Sequence, residues 1–278
     1  MKKNLYIILL SFIAIAVYAD NRQGIDFYKA GEPTIASRLF EKQLSSSPAE
    51  QAEALYYLGE IAFDENKTSE ALANYQKGWT TFPDYAYNKV GEGKVLLKTD
   101  KSTAQKAFDA AIKINKKEAS VYVAIAKAYS MNGMEAEAQA ALDNAKKYNA
   151  NDPAIYLYEG DLLISKDKPG DAAGRYEQAI HFDPACKEAY IKYANVYQGV
   201  TPTLSIEMLQ KVISNYPDYL PAYCYLGNIY SLQGNYPKAV AAYKTYMAGG
   251  LYSTDNLVHY ASALFFNKQY VESGKIIS

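Results

Sequence analysis

Small and large apolar residues recur along this chain at one fixed distance. A small residue followed four positions later by a large one returns at intervals of 33 to 35 residues: Ala36, Ala71, Ala104, Ala138, Ala172, Ser205, Ala239 and Ser273. A second small residue stands 11 or 12 positions before each of these: Gly24, Gly59, Gly93, Ala126, Gly160, Ala194, Gly227 and Ala261. Two independent markers with one period predict a chain built of structural repeats.

Each repeat is predicted to be two helices joined by a short turn. Small residues at the two markers let paired helices approach closely, and the large residue one turn later fills the space beside them. Glycine or asparagine stands at the expected turns, namely Gly31, Asn66, Gly133 and Gly234. Proline breaks a helix internally, and all ten prolines fall at predicted helix boundaries.

The best copy of the repeat runs Tyr223-x-x-Leu226-Gly227-x-x-Tyr230 and continues to Ala239 and Tyr243. It resembles the tetratricopeptide (TPR) pattern W-x-x-L-G-x-x-Y followed by A-x-x-x-F, with tyrosine for tryptophan. The resemblance covers residues 20–278, and the third repeat departs most because the register of its first helix is ambiguous. It implies an all-α, right-handed α-solenoid of helix-turn-helix repeats. About seven full repeats and a partial eighth are expected in residues 20–278.

The resemblance also implies a concave groove lined by the first helix of each repeat. Positions three residues before and one residue after the small residue of the first helix, such as Gly59, are then expected to point inward. The first inner row is Tyr56, Val90, Val123, Leu157, Ile191, Cys224 and Val258, and the second is Glu60, Lys94, Lys127, Asp161, Asn195, Asn228 and Ser262. A largely apolar row beside a mixed polar one suits an extended or helical peptide. The alternative is that the protein's own side chains partly fill this groove.

One specialised form of the groove is disfavoured. Chaperone-tail binders of this family hold a terminal carboxylate with lysine and asparagine, the lysine being in the first row. Here Asn195 and Asn228 follow Ile191 and Cys224, so the cations of that clamp are missing.

The first nineteen residues differ from the rest. Two lysines precede the apolar run from Leu5 to Val17, and Ala19 follows. This order is typical of a secretory signal peptide over residues 1–19, with cleavage before Asp20. The run is short for a membrane span, which needs about 20 apolar residues, although an uncleaved anchor is the alternative. We therefore expect an exported protein, periplasmic or associated with the outer envelope, without stable membrane insertion after cleavage.

Composition excludes other classes of partner. The chain carries 29 basic and 30 acidic residues without basic clusters, which argues against nucleic-acid binding. The two cysteines, Cys186 and Cys224, are expected to be roughly 11 Å apart on neighbouring first helices, too far for a disulfide. Two free thiols are therefore expected.

Catalytic chemistry finds little support in the sequence. The two histidines, His181 and His259, are far apart in the repeat frame, and no nucleophile–base or metal-ligand spacing accompanies them. Carboxylates such as Glu60 and Asp161 are interpreted as members of solvated helix faces. No enzyme activity and no cofactor or metal site are expected.

The function predicted from the sequence is a scaffold that binds a protein or peptide in the cell envelope. Two alternatives stay open: the sensory or accessory N-terminal half of a larger envelope protein, and a glycan-binding module that uses exposed tyrosines such as Tyr57, Tyr158 and Tyr225. The last repeat is expected to fray, because its second helix is short and Leu264, Phe265, Phe266, Ile276 and Ile277 should be poorly covered. We accordingly expect the natural protein to continue with more repeats.

Overall fold

A computed structural model describes residues 21–277, with side chains up to Ile276, so the predicted signal segment 1–19 lies outside the described residues. Residues 21–277 form helices and turns and contain no strand. The helices are α1 (21–29), α2 (Pro33–Gln43), α3 (Pro48–Asp64), α4 (Thr68–Thr81), α5 (Tyr87–Leu96), α6 (Lys101–Ile114), α7 (Ala119–Ser130), α8 (Glu135–Tyr148), α9 (Pro153–Ser165), α10 (Pro169–Phe182), α11 (Lys187–Tyr197), α12 (Pro202–Asn215), α13 (Leu220–Leu232), α14 (Tyr236–Ala248), α15 (Thr254–Phe266) and α16 (Tyr270–Ile277).

The helices are arranged as helix-turn-helix repeats. An odd-numbered helix packs on the even-numbered helix that follows it, as α3 does on α4, α7 on α8 and α13 on α14. First helices of successive repeats also touch, as α5 and α7 do, and α13 and α15. The predicted all-α, TPR-like solenoid class is therefore confirmed. None of the helices within residues 21–277 combines the length and apolar character needed to span a bilayer.

The described chain divides into two compact units. Unit 1 contains residues 21–28 and 36–158, and unit 2 contains residues 29–35 and 159–277. Unit 2 thus includes the short segment Lys29–Ile35, which joins the first two helices of the chain.

In each repeat the size of the small residue on the first helix, Gly59 for example, matches the size of the side chain that packs on it from the second helix. A Cβ added to Gly59 or Gly160 would lie 2.4 Å from the ring of Tyr75 or Tyr176, and the other marker glycines, Gly24, Gly93 and Gly227, also face aromatic rings. Repeats with alanine at the marker carry an aliphatic partner instead, for example Leu142 and Leu209. Glycine therefore provides the space that a ring needs within a tightly packed helix pair.

The register of the first helix in the third repeat is ambiguous in the sequence. The contacts of Gly91 and Gly93 establish it. A Cβ on Gly93 would lie 2.4 Å from Phe108 in its own repeat, so Gly93 is the marker. A Cβ on Gly91 would lie 2.4 Å from Tyr75 of the preceding repeat. Two close contacts on opposite sides explain why α5 contains two glycines despite their cost in a helix.

Helix boundaries follow the predicted signals. Every proline lies in the first two positions of a helix or outside the helices, as predicted. Gly31, Gly133 and Gly234 have positive φ at the turns within repeats, and so do Asn66, Asp167 and Lys268. Asp167 and Lys268 were not among the predicted turn residues; aspartate is enriched in left-handed backbone, whereas lysine is an uncommon occupant of it.

The last repeat is partly covered. Leu264 is 2% exposed, so the expectation that it is poorly covered is wrong, because α14 and α16 both pack on α15. Phe265 and Phe266 are 54% and 57% exposed, as expected for them. The end of unit 2 therefore combines a covered core residue with an exposed aromatic surface.

Candidate functional site

The first predicted inner row is mostly buried. Val90, Val123, Ile191 and Cys224 are buried, whereas Tyr56 and Leu157 are half-buried and only Val258 is exposed. The expectation of an open apolar row is not met at the four buried positions. At Val90, Val123 and Cys224 the first helices of successive repeats are in contact. Cys224 illustrates this, since its Sγ lies 3.6 Å from Asn256 Nδ2 on the neighbouring first helix.

Tyrosines at the large-residue position of the repeat organise the second inner row, in addition to filling the space for which that position was predicted. In three repeats a tyrosine hydroxyl on the second helix donates to the row residue 15 positions earlier. Tyr75 reaches Glu60 at 2.6 Å, Tyr176 reaches Asp161 at 2.9 Å, and Tyr243 reaches Asn228 at 2.6 Å. A buried hydroxyl needs an acceptor, so tyrosine at this position and an acceptor in the row belong together. That pairing was visible in the sequence as a spacing of 15.

In unit 1 the row is closed by a buried ion pair. Lys94 Nζ lies 2.6 Å from Glu60 Oε1, and the exposed fractions of their side chains are 6% and 11%. Lys94 Nζ also lies 4.2 Å from the centre of the Phe63 ring. Burial alone raises the pKa of Glu60, but the Lys94 ammonium and the hydrogen bonds from Lys94 and Tyr75 hold it below its ordinary value. The interpretation of Glu60 as part of a solvated face is therefore wrong.

In unit 2 the row remains accessible between the fifth and sixth repeats. A cavity of about 490 Å³ is lined by Asp161, Ile164, Pro169, Tyr176, Lys192, Asn195 and Val196. Asp161 Oδ1 accepts from Tyr176 and from Lys192 Nζ, the latter at 2.8 Å, and the Asp161 side chain is 39% exposed. Glu188 and Asp161 together raise the pKa of Lys192 against the opposing effect of burial, so this ammonium stays charged.

A second cavity of unit 2 lies between the seventh and eighth repeats. It measures about 330 Å³ and is lined by Asn228, Ser231, Leu232, Tyr236, Tyr243, His259, Ser262, Ala263 and Phe266. Leu232 is 73% exposed, and the Tyr236 and Phe266 rings stack at a centroid distance of 5.1 Å. Leu232, Tyr236 and Phe266 form an apolar wall, and the lining residues include no carboxylate, lysine or arginine.

Unit 1 shows why the corresponding place in the second repeat is closed. Phe63 stands three positions after Glu60, as Ile164 does after Asp161 and Ser231 after Asn228. The Phe63 ring packs against the buried cluster of Ala62, Ala71 and Tyr75. A bulky ring with Lys94 over it thus fills the volume that remains open in unit 2. The alternative of a partly self-filled groove therefore describes this repeat.

The segment Lys29–Ile35 packs on first helices of unit 2. Tyr225 donates to the Ala30 carbonyl at 2.8 Å, and Asn256 Nδ2 donates to Glu32 Oε1 at 3.0 Å. Lys29 Nζ lies 3.4 Å from Glu188. Partners about 160 to 220 residues apart in sequence carry no local signal, which is why the sequence analysis missed this contact.

The tyrosines offered for a glycan platform are not presented as one. Tyr158 is 7% exposed, Tyr57 stacks on Phe40 with ring centroids 5.0 Å apart, and the Tyr225 hydroxyl is bound to backbone. Cys186 and Cys224 are free thiols, and burial raises their pKa values to about 11 and about 12. Residues 21–277 contain no group of three or more His, Cys, Asp or Glu side chains arranged to hold a metal ion.

One solved structure aligns with this chain at a TM-score above 0.5, and others align at lower scores. PilW, described as a widely conserved type IV pilus biogenesis factor, aligns with a TM-score of 0.51 at 16% identity, over 69% of this chain and 90% of that chain. A tetratricopeptide repeat protein from Parabacteroides merdae gives 0.48 at 15% identity, over 89% of this chain and 98% of that chain. A thermophilic TPR protein from Thermus thermophilus gives 0.45 at 21% identity, over 65% and 98%. At these identities the likeness concerns the fold.

Family models agree with the repeat frame. Models of the tetratricopeptide repeat match residues 21–86 and residues 208–241. No curated protein matches the sequence significantly. The first match covers the first two repeats described, and the second lies wholly in unit 2. With helix pairs that follow the same period, the chain is a member of the tetratricopeptide repeat family.

Proposed function

We propose that this protein is a non-enzymatic scaffold that binds a protein or peptide along the second inner row of unit 2. TPR folds serve in general as protein–protein interaction scaffolds, and function on such a fold has to be argued from a site. The observation that carries the proposal is the pair of cavities of about 490 and 330 Å³ on that row. Both fall in the size range of binding pockets, about 300–1,000 Å³.

The accessible part of the groove is narrower than the sequence implied. In unit 2 the buried Ile191 and Cys224 offer no surface to a partner, whereas Asp161, Asn195 and Ser262 retain exposed or half-exposed side chains. A partner therefore contacts the second row, with the apolar wall around Leu232 beside it.

Site-specific photocrosslinking in the producing cells tests this function. A photoreactive residue at Asn195 or Ser262 should crosslink to one and the same partner. The same residue at Lys244 or Gln178, exposed on second helices, serves as the matched control. Crosslinking of equal strength from the control positions would contradict binding along the row.

We further propose that the protein acts in the cell envelope after export. The charged, apolar and small-residue order of residues 1–19 supports this, as it is typical of a signal peptide. Intact-mass measurement of the exported protein should show a chain that begins at Asp20. Retention of Met1 in a membrane fraction would indicate an uncleaved anchor, and a full-length cytosolic protein would contradict export.

A further inference from the structure

The two cavities on the second inner row of unit 2 are the same site repeated. Each of the seven residues that line the first cavity has a counterpart 67 residues later, two repeats on, that lines the second. Asp161 corresponds to Asn228, and Tyr176, which donates to the first, corresponds to Tyr243, which donates to the second. Equivalent walls of this kind can accommodate two side chains of a single partner segment.

The first cavity has the chemistry of a polar subsite. Both bonds of Asp161 use Oδ1, so Oδ2 of this 39% exposed side chain faces an incoming donor. Lys192 lies 2.8 Å from Asp161 and 3.7 Å from Glu188, and Lys29 lies 3.4 Å from Glu188, so two lysines balance two carboxylates here. A carboxylate oxygen beside a compensated lysine favours a side chain that donates hydrogen bonds, with lysine or arginine preferred.

The second cavity has the chemistry of an apolar subsite. Asparagine replaces the carboxylate at position 228, and His259 replaces Lys192. Tyr236 stands where the first cavity has Pro169, and its stacking on Phe266 extends the wall. Leu232 is 73% exposed beside them, so an apolar side chain placed here would remove apolar surface from water.

We propose that these cavities bind two side chains of one partner segment, which serve as its anchors. A hydrogen-bond-donating side chain binds between the fifth and sixth repeats, and a large apolar side chain binds between the seventh and eighth. This inference rests on the proposed function and specifies its ligand. First helices in contact, as α13 and α15 are, lie about 8–10 Å apart, so two repeats span about 16–20 Å. An extended chain covers that distance in about five or six residues.

Selection from a display library of random 12-residue peptides on the purified protein tests the proposal. Enriched peptides should pair lysine or arginine with leucine, phenylalanine or methionine about five or six positions away. Asp161→Asn should weaken a selected peptide about tenfold, and Leu232→Ser about five- to tenfold. Glu207→Gln and Val200→Ser, exposed changes of the same kinds in unit 2, should leave its affinity unchanged.

The outcomes separate the two proposals. Peptides that bind the parent and lose affinity in Asn195→Trp and Ser262→Trp, but show no donor–apolar pairing, would overturn the anchors and keep the groove. Enrichment of acidic anchors would overturn the polar subsite as assigned. Peptides no better enriched on the parent than on the Asn195→Trp/Ser262→Trp double variant would contradict both proposals.

Discussion

Replacing Lys94 by methionine tests the buried ion pair that closes the row in unit 1. Methionine keeps an unbranched apolar stem but leaves the Glu60 carboxylate without its cation. Removing one partner of a buried pair costs about 3–5 kcal/mol, because the other charge stays buried. The Tyr75 hydroxyl still donates to Glu60. We therefore expect the lower end, about 3 kcal/mol, and a fall in Tm of about 6–12 °C.

The pH dependence gives this prediction its sign. In the parent the pKa of Glu60 is lowered, so its contribution to the free energy of unfolding is present above the unfolded pKa and is lost in acid. In Lys94→Met burial acts without the ammonium, so the pKa of Glu60 rises and acid relieves the cost by protonating the carboxylate. The difference between parent and variant should therefore be largest at pH 7 and shrink towards pH 4.

Circular dichroism melts and urea titrations at pH 7 and pH 4 measure these differences. Lys127→Met is the matched control, since Lys127 lies in the same row but is exposed, and it should cost less than about 1 kcal/mol. Glu60→Gln combined with Lys94→Met should recover most of the loss, because no buried charge remains. A Lys94→Met protein with parental stability, or with a loss independent of pH, would refute the ion pair.

Three further predictions concern packing, thiol reactivity and the segment that covers unit 2. Gly93→Ala should destabilise the protein by about 1–3 kcal/mol because its Cβ would press on Phe108, and Phe108→Leu should recover part of that loss. Gly174→Ala, where nothing lies within 4 Å, should instead stabilise α10 by about 0.5–1 kcal/mol; equal thermal shifts for both glycines would contradict the packing argument. Cys224 has its pKa raised to about 12 by burial, so its thiolate population at pH 8 should be roughly a thousandfold below that of an ordinary cysteine, and fast iodoacetamide labelling of Cys224 in the native protein by mass spectrometry would contradict this. Tyr225→Phe should lower the free energy of unfolding by about 1 kcal/mol through one lost hydrogen bond, and unchanged urea denaturation would argue against that contact.

The helix-turn-helix repeat could be predicted because its cause is local and periodic. A close helix pair needs a small residue at a fixed place in every copy, so the requirement appears in the sequence as a period. The third repeat was ambiguous for a related reason: Gly91 and Gly93 satisfy two different contacts only two residues apart. A single sequence cannot say which of them faces the partner helix, whereas their neighbours Tyr75 and Phe108 decide it.

Exposure of the candidate row could not be predicted from the same period. Val90 and Val258 occupy the same position in the repeat, yet one is 3% and the other 49% exposed. Burial of the row residues depends on contacts from other repeats and, in unit 2, on the segment Lys29–Ile35. No spacing in the sequence indicates these contacts. The residue three positions after the row also differs: Phe63 packs on a buried cluster in unit 1, whereas Ile164 and Ser231 line cavities in unit 2.

The tyrosine contacts distinguish residues of the second row that are polar for a structural reason from residues that are polar without one. Where tyrosine stands on the second helix, as Tyr75 does, its buried hydroxyl requires an acceptor, and Glu60 supplies it while also pairing with Lys94. The fourth and sixth repeats carry Leu142 and Leu209 at that place, so no hydroxyl from their own second helix constrains their row residues. Asn195 of the sixth repeat is nevertheless polar, exposed and part of a cavity wall. A polar residue that this packing does not require is the stronger candidate for contact with a partner.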